Sequence, residues 1–127
     1  MFYQQDYIMR MLHELVRTLL KLLFNIDSVS DATQQLDNEA ERAQYEQLLK
    51  LVDEGRINEA ENVLFSILGH HGKDDFKLAL LFYDYLNGLD DDYLNKCDFS
   101  REEIELGIKE AAKLCGCSEF VDCFYHN

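Results

Sequence analysis

Four cysteines sit toward the end of this 127-residue chain: Cys97, Cys115, Cys117 and Cys123. Zinc takes soft or borderline donors in a tetrahedron, commonly from cysteines separated by roughly two to four residues. Here Cys115 and Cys117 have only Gly116 between them, Cys123 and His126 follow on a short tail, and Cys97 would have to fold back. The four are weak metal candidates, and no metal site is favoured. Cys115 also falls on the apolar stripe of a helix, where a free cysteine acts as a small hydrophobe. A reversible disulfide would need a reactive thiolate. Lys113 and His126 bring some positive charge near the C-terminal three.

The histidines are His13, His70, His71 and His126. His70 and His71 are adjacent, so a helix would point them apart. With Gly69 and Gly72 on either side they read as an exposed turn. A catalytic histidine needs a nucleophile and an orienting carboxylate, and sequence alone does not bring such groups together. No G-x-S-x-G, H-E-x-x-H, P-loop or dinucleotide motif is present. No catalytic residue is assigned, no cofactor is expected, and the chain reads as non-enzymatic. The acidic run Asp90-Asp91-Asp92, with Asn95 and Asp98, lacks the central glycine of a calcium loop. It reads as a solvated loop that caps a helix.

The elements that would position these residues are all helical. Ile8, Leu12, Leu15, Leu19, Leu22 and Ile26 recur at steps of three and four. They predict a long amphipathic helix over residues 1–26. Met9, Met11, Val16, Leu20, Leu23 and Phe24 widen the stripe to about half the circumference, more than the ~100° needed to dock on a core. Residues 27–38 read as a connection rich in turn and cap formers, and Asn38 with Glu41 resembles a capping box. A helical hairpin is expected over 39–69. Its first helix is closed by Gly55. Its second is capped by Asn58 with Glu61 and carries a stripe of Ile57, Ala60, Leu64, Ile67 and Leu68.

Residues 74–125 predict the C-terminal helices. The first of them is apolar nearly all round, from Phe76 to Leu86, and is expected at the centre of the bundle. Ser100 and Glu103 form a capping box for the next, over about 101–115. Ile104, Ile108, Ala111 and Cys115 share its apolar face, Gly107 allows close approach on that side, and Gly116 stops it. Ser118 would cap a last short turn. No segment shows the period-two alternation of a strand. The expectation is a single all-α domain over 1–127: a bundle of five helices plus a short C-terminal turn. The absence of proline agrees with it.

Charge narrows the partners. Twelve basic residues face twenty-five acidic ones, a net of −13. Residues 1–26 hold three basic and two acidic groups, a net of +1. Residues 27–127 hold nine and twenty-three, a net of −14. A body this acidic repels phosphate backbones, which argues against nucleic acid. Charges interrupt the N-terminal apolar stretch every few residues, unlike a signal peptide. No run reaches the ~20 apolar residues of a membrane span. A cytoplasmic protein with reduced cysteines is expected.

Two stretches resemble known families. Leu48, Leu51, Gly55, Ile57, Glu59, Ala60, Leu64, Ile67 and Leu68 are similar to the middle of a tetratricopeptide repeat, without its early aromatic or closing proline. The opening Gln5-Asp6-Tyr7-Ile8-Met9-Arg10, then Leu22-Leu23-Phe24, resembles an uncharacterised family of small bacterial proteins, mostly Gram-positive. That resemblance implies an all-helical fold and a bacterial cytoplasmic origin. It supplies no catalytic residue. The function expected is contact with another protein or with a second copy of the chain, as a homodimer. The N-terminal helix and the hairpin would carry it, with Met9, Val16, Leu20, Leu23 and Phe24 as interface candidates. The alternatives are a metal or redox sensor on the cysteines, or a membrane-surface protein using Arg10, Arg17 and Lys21.

Overall fold

The computed structural model describes residues 2–36 and 39–126, with side chains from residue 5 onward. Eight helices and no strand occur among them. They are α1 (Phe2–Phe24), α2 (Val29–Gln34), α3 (Glu39–Asp53), α4 (Ile57–Ile67), α5 (Asp74–Asn87), α6 (Asp91–Lys96), α7 (Arg101–Cys115) and α8 (Ser118–Tyr125). The all-α expectation holds. Asn38, expected to cap α3, and its neighbour Asp37 lie outside the described residues.

The expected count of five helices and a turn is corrected in three places. The connection after α1 contains α2, because Ser28 caps it by accepting from the Asp31 amide and Ala32 is buried beneath it. The acidic loop contains α6. Asp91 and Asp92 occupy its first turn and Lys96 its last, each at the end of the helix dipole that favours its charge, and Leu94 is buried. The last turn is a full helix, α8, with Cys117 rather than Ser118 at its N-cap.

The other boundaries follow local chemistry. Asn25 adopts a left-handed φ of 56° and ends α1, its amide bonding the Lys21 carbonyl. Gly55, at φ 81°, closes α3, and the Arg56 amide returns to the Leu51 carbonyl at 2.9 Å. Ser100 and Glu103 form the expected capping box of α7. Asn58 does not cap α4. Arg56 holds that position without a side-chain bond, and Glu61 is drawn inward instead.

Helix α5 is the centre of the bundle. Phe76, Leu78, Ala79, Leu80, Leu81, Phe82, Tyr83 and Leu86 are all buried, and the helix packs against α7, α1, α3 and α2. Gly107 on α7 sits against Tyr83. A Cβ at 107 would overlap the Tyr83 ring and hydroxyl. Most of the wide stripe of α1 is consumed in the same way, because the helix contacts α5, α7, α8 and α2, but Leu22, expected on the stripe, stays exposed. Leu20 is 0% exposed, and Val16 and Leu23 are also buried.

Replacing Gly107 by Ala should lower stability by about 1–3 kcal/mol, the usual cost of forcing a methyl into a packed interior. A urea unfolding curve measures it. An unchanged midpoint would mean that the α5–α7 contact is looser than this packing requires.

Candidate functional site

Helices α1 and α5 meet at a polar seam. His13 on α1 and Asp84 on α5 are 71 residues apart in sequence, yet Nδ1 lies 3.1 Å from Asp84 Oδ1. An ionised carboxylate only accepts, so Nδ1 carries the hydrogen and Nε2 is the free ring nitrogen. The Asp84 side chain is 17% exposed and that of His13 52%. A recess of about 460 Å3 lies beside the pair, lined by Met9, Arg10, His13, Glu14, Asp84, Asn87 and Gly88. This is the orienting carboxylate that sequence could not supply. No serine, threonine or cysteine lines the recess.

Arg101 is the feature that the sequence reading missed. It is 2% exposed at the start of α7. Its Nε donates to Asn87 Oδ1 at 3.3 Å. Nη2 donates to the carbonyls of Asn87 and Leu89, at 3.1 and 2.8 Å. Nη1 bonds Asp91, and Gln5 Oε1 at 3.4 Å. Asn87, also buried, donates to the Met9 carbonyl at 2.8 Å. A recess of about 490 Å3 adjoins this arginine. All five guanidinium hydrogens already have acceptors, so the group joins α1, α5, α6 and α7 rather than offering an anion site. In sequence Arg101 looks like any first-turn residue after a cap, which left no signal.

The remaining predicted residues disperse. His70 and His71 are exposed in the turn after α4. His70 Nε2 lies 3.2 Å from the Ser66 carbonyl, and the His71 amide donates to Asp75 Oδ2 at 2.9 Å. They line a recess with Glu41, Asp74 and Asp75. Cys115 and Cys117 are buried, Cys97 is partly buried and Cys123 exposed. Cys97 faces Gly55 at the end of α3. No three His, Cys, Asp or Glu side chains among the described residues are grouped to hold a metal ion. Burial pushes the Cys115 thiol up to about 11, and burial also raises Cys117. That is the opposite of a reactive thiolate.

The proposed interface on α1 is corrected too. Val16, Leu20 and Leu23 are buried within the chain, and Phe24 packs partly against the core with Lys77 over its ring. Met9 alone of the five is exposed, at 37%. The cause is that α1 has neighbours on both flanks.

A sequence pattern describing a family of unknown function, DUF6483, matches residues 2–116. The chain belongs to this family. The match spans α1 to α7, and α8 lies beyond it. No curated protein and no solved structure matches the chain. No helix among the described residues is long and apolar enough to cross a membrane.

Elsewhere in this DUF6483 chain a buried pair couples stability to pH. Tyr83 donates to Glu61 Oε2 at 2.6 Å. Burial raises the Glu61 carboxyl above its ordinary 4.5, the Tyr83 bond opposes that, and the charge of Glu103 adds to it. Folding therefore favours protonated Glu61. Its favourable contribution is complete below the unfolded value and is lost as pH rises through the folded one. Glu61→Gln keeps an acceptor for Tyr83 and removes the charge. The variant should be more stable than the parent near neutrality, and the two should converge as pH falls toward about 4.5. Thermal unfolding across pH measures the gap, and a constant gap would refute this account. Separately, Cys123 should be alkylated by iodoacetamide well before Cys115 and Cys117 in the folded protein. Peptide mapping of a time course reads the order, and equal rates would show that the α7–α8 corner opens freely.

Proposed function

We propose that this DUF6483 member is a non-enzymatic cytoplasmic helical module that works by contact with protein, and that the first partner is a second copy of itself. The observation behind this reading is the surface of α7 and α8. Leu106 is 62% exposed, and Leu114 and Phe120 are exposed on the same two helices. A shallow groove of about 230 Å3 runs between the helices, lined by Leu106 and Val121 with Lys109, Lys113, Glu110 and Asp122. Exposed leucines beside mixed charges suit a two-fold contact, in which each lysine can meet a carboxylate of the other copy. The α3–α4 hairpin is a second surface that this reading offers. Its Gly55 turn and its fully buried Ala60 are the features similar to a tetratricopeptide pair.

Native mass spectrometry tests self-association. The expected species is twice the chain mass of 14.9 kDa. Leu106→Glu with Leu114→Glu should return it to the single chain with little loss of folding stability, because half or more of each residue is already exposed. A parent protein that is monomeric at tens of micromolar would end the homodimer reading. A dimer indifferent to these two substitutions would move the contact to another face.

A further inference from the structure

We infer that His13 is a phosphoryl-acceptor site, modified at Nε2 by a donor carrying an activated nitrogen–phosphorus bond. This does not rest on the α7–α8 surface. Three features of the α1–α5 seam converge on it. The ring is held through Nδ1 by a carboxylate that is itself largely buried, which leaves Nε2 as the free nucleophilic nitrogen. Arg10 lines the same recess one turn earlier on α1 and has no ion-pair or hydrogen-bond partner among the described residues. Its guanidinium is thus available to phosphate oxygens. Arg17, one turn later, is bonded to Glu14 at 2.8 Å. The 26-residue N-terminal segment also has a net charge of +1, against −14 for the other 101 residues together.

The step balances within these groups. The Nε2 lone pair attacks phosphorus and the donor's nitrogen–phosphorus bond breaks; the donor nitrogen enters the step already protonated, so it leaves with that electron pair as a neutral amine or imidazole. The ring becomes cationic as the new bond forms, and Nδ1–H remains on Asp84, whose negative charge stabilises it. No oxidant, metal or further proton acceptor is required. Asp84 is a positioning residue here and does not touch the phosphoryl group.

His71 provides an internal comparison. It also meets a buried carboxylate, with Nδ1 3.4 Å from Asp75 Oδ1. Its recess, however, is lined by Glu41, Asp74 and Asp75 and by no lysine or arginine. A carboxylate-held ring without a cation should accept a phosphoryl group poorly.

The test is incubation of the full chain with potassium phosphoramidate at about pH 8, where an ordinary imidazole is neutral. Peptide mapping by mass spectrometry under non-acidic conditions then gives the initial rate at each histidine. His13 should gain a phosphoryl group on the order of tenfold faster than His70, His71 and His126, the worth of one hydrogen bond to a charged group. Asp84→Asn should lower the rate at His13 by a similar factor and leave the other three unchanged. A general loosening of the fold would instead raise all four. Arg10→Gln, on the exposed face and no threat to folding, should slow His13 several-fold. Equal rates at His13 and His126, or an Arg10→Gln variant that labels His13 as fast as the parent, would overturn the proposal.

Discussion

A helix that is apolar around its whole circumference can be hidden only by surrounding it. That constraint on α5 organises the molecule. Helices α1, α3, α7 and α2 each turn an apolar stripe toward it, and the other elements close the gaps between them. The width of the α1 stripe then has a plain cause. One part faces α5 and most of the rest serves α7, α8 and α2. Surplus apolar surface on an isolated helix is not surplus once three more elements must be covered. Gly107 marks the closest approach in this arrangement, because Tyr83 on α5 fills the space where a side chain on α7 would stand.

Enclosing a helix this completely creates a problem for polar groups at its borders, since each needs a partner away from water. The chain answers with bonds between helices. Three tyrosine hydroxyls reach carboxylates on neighbouring helices: Tyr83 to Glu61, Tyr85 to Asp53 and Tyr125 to Glu105. The Asp53 bond, with burial, pushes the Tyr85 phenol up to about 12. Each tyrosine keeps its ring in the apolar layer and places its hydroxyl at the rim. Arg101 and Asn87 do the same at the far end of α5, where α1, α6 and α7 converge. The acidity of the chain is thus partly structural, because several carboxylates serve as acceptors at helix seams.

The two surfaces of functional interest differ in kind. The α7–α8 face offers apolar side chains to solvent and lies partly beyond the residues matched by the family pattern. The α1–α5 seam lies inside that match and offers a held imidazole with a free cation. Contact and modification are compatible in one small helical protein. A phosphoryl group at His13 would turn the +1 balance of the N-terminal segment negative, changing what the α1 face attracts.

Much of the fold was legible because its signals are local. The helical period of α1, the glycines at 55 and 116 and the Ser100–Glu103 box each act within a turn or two and appear as read, except that Leu22, expected on the α1 stripe, is 57% exposed while Leu20 and Leu23 take the buried positions beside it. The short helices α2 and α6 were missed because six residues carry too little periodicity to separate them from a capping loop. Asn58 was misjudged as a cap for a different reason: α4 already begins at Ile57, directly after the Gly55 turn, so Asn58 lies inside the helix and Glu61 accepts from Tyr83 instead. By itself the sequence determined the class, the main helices, their stops and the centrality of α5, all of which depend on neighbours along the chain. Only the tertiary structure decided that His13 meets Asp84, that Arg101 is buried, that the cysteines do not gather, and that Val16, Leu20 and Leu23 are covered. Those outcomes depend on which helices become neighbours in space, and contacts across 71 residues leave no period to read.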